Sequence, residues 1–94
     1  MGYMVEHIGR PAMLEQMAEE CAELGKEALK LARVLRNENP TPVTAAEASN
    51  AIIEEFTDVV ICAGELGYRP SPTIARYKEQ RFKQRWEAAN ASKD

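Results

Sequence analysis

Apolar residues return every three or four positions along the first third of the chain: Met17, Cys21, Leu24, Ala28, Leu31 and Leu35. That spacing brings each of them to one side of a helix and predicts an amphipathic helix over residues 11–36. Pro11 suits its first turn, where a missing N–H leaves no helical bond unmade. Ala18, Ala22, Gly25, Leu29 and Ala32 widen the stripe, mostly with small side chains that let another helix approach closely. The pattern stops at residues 37–43, where Pro40 and Pro42 forbid helix continuation. Thr44 and Glu47 then stand three apart ahead of a second periodic run, the spacing of a capping box. This second helix carries Ile52, Phe56, Val59, Ala63 and Leu66 as its stripe, and Gly67 ends it. Ser71 and Pro72 open a third helix that runs to about residue 90. The residues before Pro11 fit either a short helix or an extended arm, and no useful β-alternation occurs.

The pattern predicts an all-α fold: an antiparallel helical hairpin plus a third helix, antiparallel because the connecting loop is short. A chain of 94 residues makes one domain, with its core over about residues 10–90. A domain that small buries little apolar surface alone, so a four-helix-bundle-like core completed by oligomerisation, as a dimer or tetramer, is expected. No apolar run reaches the roughly 20 residues of a membrane helix. Residues 1–7 lack a basic-then-apolar signal region, and Glu6 stands where myristoylation favours Ser or Thr. Cys21 and Cys62 are too few for a disulfide framework, which points to a reducing cytoplasm.

The net charge of −3 conceals an asymmetry. Residues 11–67 carry eleven acids and four bases, whereas residues 69–85 carry six bases and one acid, so an acidic hairpin precedes a basic helix. Two solvated faces that partly neutralise each other would explain this without function. A second pattern adds chemistry. Glu19, Glu20 and Glu23 in the first helix are echoed at the same spacing by Glu54, Glu55 and Asp58 in the second. At 100° per residue, Glu20 lies about 60° and Glu23 about 120° to one side of the first stripe, and Glu55 and Asp58 take the same offsets on the second. Antiparallel helices bring equivalent flanks together. If Arg36 and Ala45 bracket the turn, Glu23 comes level with Asp58, and four carboxylates converge beside one seam.

Facing like charges destabilise a helix pair, and a hard divalent cation is the simplest compensation. Oxygen-only ligands suit Mg²⁺ or Mn²⁺. A di-iron carboxylate bundle would need histidines after its glutamates, and His7 is the only histidine. Solvated surface glutamates near Lys26 and Lys30 are the bland alternative for either motif alone. In the third helix Lys78, Arg81 and Arg85 share one face, an arrangement suited to phosphate oxygens or to packing against the acidic helices. Tyr77, Phe82 and Trp86 read as packing residues. The acidic hairpin argues against nucleic acid as a partner.

The ordered pair of motifs, Glu19-Glu20-x-x-Glu23-Leu24 and Glu54-Glu55-x-x-Asp58-Val59-Val60, resembles the MazG-like branch of the all-α NTP pyrophosphatases over about residues 10–87. The resemblance implies Mg²⁺ held by Glu20, Glu23, Glu55 and Asp58, and hydrolysis of a nucleoside triphosphate to its monophosphate and pyrophosphate. It also implies helical bundles completed by dimers or tetramers, with Lys78, Arg81 and Arg85 holding phosphates. Glu23 or Glu19 is then the carboxylate that accepts a proton from water. Phe56 and Thr57 depart from the family pattern, in which a small residue often precedes the aspartate. The competing expectation is a non-catalytic helical oligomerisation or interaction module.

Overall fold

In the computed structural model, which describes residues 2–38 and 42–91, the chain forms four helices and the described residues contain no strand. They are α1 (Tyr3–Ile8), α2 (Arg10–Arg36), α3 (Ala45–Glu65) and α4 (Pro72–Ala91). Residues 39–41, part of the predicted proline loop, lie outside the described residues. The all-α expectation holds, and none of the helices is long and apolar enough to cross a membrane.

Local chemistry sets the helix boundaries. The Glu47 N–H donates to the Thr44 hydroxyl and the Thr44 N–H donates to the Glu47 carboxylate, both at 3.1 Å, closing the predicted capping box. The α3 C-terminus ends in a Schellman motif: the N–H of Tyr68 reaches the Ala63 carbonyl, the N–H of Gly67 reaches that of Gly64, and Gly67 takes φ +82°. α2 closes the same way with Asn37 in the left-handed region at φ 57°, its short side chain tolerating a conformation that most residues avoid. The Ser71 hydroxyl accepts from the Ile74 N–H at the start of α4.

The undecided N-terminal segment is a helix because the end of α3 holds it. Glu65 accepts from the Val5 N–H at 2.9 Å, placing a carboxylate at the electropositive end of α1. Gly9, at φ +89°, then turns the chain sharply into α2. Arg10 secures the junction by donating to the Leu66 carbonyl and the Tyr68 hydroxyl.

α2 and α3 pack along most of their length, and α1 closes the end away from the loop. The core lies at that end, where Val5, Met13, Cys62 and Leu66 are buried and Met17 packs against them. The seam contains Met13, Met17, Glu20, Leu24, Glu27, Leu31 and Val34 of α2, and Ala48, Ile52, Glu55, Val59, Cys62 and Leu66 along α3, all buried or half-buried. These positions alternate by four and three, the spacing of a coiled-coil seam.

This seam corrects the predicted stripes. Cys21, Ala28, Leu35 and Phe56 were expected to face inward, yet all four are exposed. The apolar arc on each helix is wider than one partner covers. The hairpin uses the edge nearest the charged side, which draws Glu20 and Glu55 into the seam and leaves the other edge open.

Candidate metal centre

Glu20 stands one turn along α2 from Met17, and Glu55 occupies the equivalent inward position between Ile52 and Val59 on α3. Both are half-buried, at positions where a coiled-coil seam ordinarily carries an apolar side chain. Their carboxyl groups face one another across the seam, close enough for each to act on the other. Asp58, one turn further along α3 and exposed, completes a trio in which one carboxylate oxygen from each residue lies within 4.8 Å of the other two.

The electrostatics follow from this crowding. Desolvation, then the hydrogen bond to Glu20, then the charges of Glu20, Asp58 and Glu23, hold the Glu55 carboxyl above the ordinary glutamate range. The crowded negative charge makes Glu55 harder to ionise than a free glutamate, and among the described residues no lysine or arginine pairs with the trio to compensate it. Burial likewise pushes the Cys62 thiol up, with the Glu20 and Asp58 charges adding to it, so this cysteine is a core residue and no thiolate nucleophile.

The predicted site residues separate into three groups. Glu20, Glu55 and Asp58 come together as expected. Glu23 lies outside the close trio on the exposed charged side, although its charge still acts on Glu55. Glu19 is exposed and lies about 100° round the helix from Glu20. The register also differs from the one derived from the loop. That register set Glu23 opposite Asp58, whereas Glu20 is the residue facing Glu55 and Met13 packs with Cys62 and Leu66. The end of α2 therefore overshoots the start of α3. Helix ends need not be level when the packing of larger side chains fixes the pairing elsewhere.

Lys78, Arg81 and Arg85 share one side of α4 and, with Phe82, line a shallow cavity of about 190 Å³. Among the described residues α4 makes no packing contact with another helix, so the basic residues and the acidic trio are not brought together within one copy. Two residues of the site environment were missed. Gln16 donates to Glu20 at 2.8 Å and steers its carboxylate, which its position one turn before Glu20 makes intelligible. Cys62, buried in the core, lies near enough to Glu20 and Asp58 for their charges to act on it.

Compared with protein-family models, curated proteins and solved structures, the chain matches none. The chemistry of the donor set therefore stands on the geometry alone. Three carboxylates offer only hard oxygen donors, and octahedral Mg²⁺ at about 2.1 Å per ligand places opposite oxygens about 4.2 Å apart. One oxygen from each member of the trio already lies within 4.8 Å of the others, so a hard divalent cation could be shared among them. A bound cation would also offset the mutual repulsion of these carboxylates.

Proposed function

We propose that the protein is a Mg²⁺-dependent nucleoside triphosphate pyrophosphohydrolase, cleaving an NTP or dNTP between its α and β phosphates. The observation that carries this reading is the half-buried placement of Glu20 opposite Glu55 in the helix seam, with Asp58 beside them. Apolar side chains there would pack better, so the acids need a reason to be present, and the two echoed motifs supply both of them. The resemblance of those motifs to the MazG-like pyrophosphatases specifies the reaction.

Glu20, Glu55 and Asp58 would hold the cation, with Mn²⁺ able to replace Mg²⁺. The cation supplies neutralisation of the polyphosphate and a lowered pKa for a nearby water. Glu23, outside the trio but electrostatically coupled to it, takes the proton as the water oxygen attacks the α-phosphorus, while Glu19 lies too far round the helix to be favoured. The bond from the α-phosphorus to the bridging oxygen breaks, and pyrophosphate leaves with the electron pair. Lys78, Arg81 and Arg85 stabilise the charge gathering on it. Apolar surface left open on the hairpin supports a dimer or tetramer, and the free thiols of Cys21 and Cys62 support a cytoplasmic setting.

Pyrophosphate release from a panel of standard and modified NTPs and dNTPs, with Mg²⁺ and with EDTA, tests the proposal. Release from at least one member that stops in EDTA is expected. No release from any member would leave the helical interaction module as the better description.

A further inference from the structure

Among the described residues, α4 packs against no other helix of its chain. None of its residues is buried, and Tyr77, Phe82 and Trp86 are 59, 77 and 64% exposed. A 20-residue helix with no packed face is marginal in water, because most helical stability in proteins comes from burying one side. The side available for burial is well defined. Lys78, Arg81, Phe82 and Arg85 line one shallow cavity, and Phe82, Arg85 and Trp86 line the next, so basic and aromatic groups form a continuous surface. Among the described residues Lys78, Arg81 and Arg85 make no ion pair; Arg81 lies only over the Tyr77 ring.

The same chain carries the complementary surface. Glu19, Glu23, Glu54 and Asp58 are exposed on the acidic side of the hairpin, bordering the half-buried Glu20 and Glu55. Ile61, 56% exposed, lies on that same side of α3 by helical geometry. It offers an apolar spot among acids, as Phe82 offers one among bases. Residues 11–67 are net −7 and residues 69–85 net +5.

We propose that α4 of one copy docks along the acidic face of a second copy's hairpin, so that Lys78, Arg81 and Arg85 complete the carboxylate site of the other chain. Neither copy then holds a whole site. The chemistry of that composite site rests on the pyrophosphohydrolase reading, whereas the docking itself does not.

Two measurements separate these parts. Trp86 is the only tryptophan and reports on α4 directly. In EDTA its emission should shift to longer wavelength on dilution and in 1 M NaCl, where the screening length falls to about 3 Å. Emission that responds to neither overturns the docking, whatever the protein catalyses. The second measurement mixes two variants, Asp58→Asn and the double variant Arg81→Ala/Arg85→Ala, each of low turnover alone. In mixed dimers one site carries both defects and the other carries neither. Random pairing should therefore restore about one quarter of wild-type pyrophosphate release. No recovery, with wild type active and both variants helical by circular dichroism, overturns the composite site. An inactive wild type would instead sink the pyrophosphohydrolase reading, and with it the composite site, leaving the docking to be judged by Trp86.

Discussion

At the scale of single residues, Glu55 is the most informative position, because its carboxyl is held above the ordinary glutamate range by burial and by Glu20. The folded chain binds that proton more tightly than the unfolded chain does. Stability from this group is therefore greatest at low pH and is lost as pH rises from the unfolded value through the raised folded one. Metal-free protein should show a falling urea midpoint across that window. Glu55→Gln should flatten the fall and leave a protein at least as stable at neutral pH, since an amide can still hydrogen-bond to Glu20. Mg²⁺ should have the opposite influence on wild type, adding about 2.7 kcal/mol at a hundredfold excess over Kd. The variant should lose both this response and Mg²⁺-dependent turnover. A variant retaining both would remove Glu55 from the site.

At the scale of elements, α3 is fixed at both ends by local devices that can be tested separately. Thr44→Ala removes the hydroxyl that accepts from Glu47 N–H and should lower stability by about 1 kcal/mol, read from chemical denaturation. Gly64 lies inside α3 with open space where a Cβ would stand. Gly64→Ala should therefore raise stability by about 0.5–1 kcal/mol, through the lower entropy of the unfolded chain. A loss there would mean that this face is covered in the assembled protein. α1 differs in kind, since it depends on Glu65 and Arg10 reaching it from elsewhere, and a propensity argument over six residues could not have predicted it.

At the scale of the whole molecule, what is missing from the single chain is informative. The buried core comprises Val5, Met13, Ala48, Cys62 and Leu66, with no large side chain fully enclosed. Ile53, Phe56 and Val60 lie open along one edge of α3, and Leu14, Leu29 and Leu35 along α2. Apolar exposure on that scale calls for a second copy. Sedimentation at micromolar concentration should give at least twice the 10.5 kDa chain mass. A fully active monomer would contradict both the oligomer and the shared site.

The sequence by itself determined the three long helices, the caps at Thr44, Gly67 and Ser71, and the acids that cluster between the first two. Thr44 with Glu47, Gly67 after Leu66, and Ser71 before Pro72 act through hydrogen bonds and backbone angles spanning only a few residues, so local pattern suffices to place them. The echo of Glu20 and Glu55 was legible for the same reason. Only the tertiary structure decided which edge of each wide apolar arc enters the seam, that Glu20 rather than Glu23 faces Glu55, and that α4 stands clear of the hairpin. Those outcomes depend on how Met13, Cys62 and Leu66 interlock across some fifty residues of chain, and helical periodicity carries no information about a partner that distant.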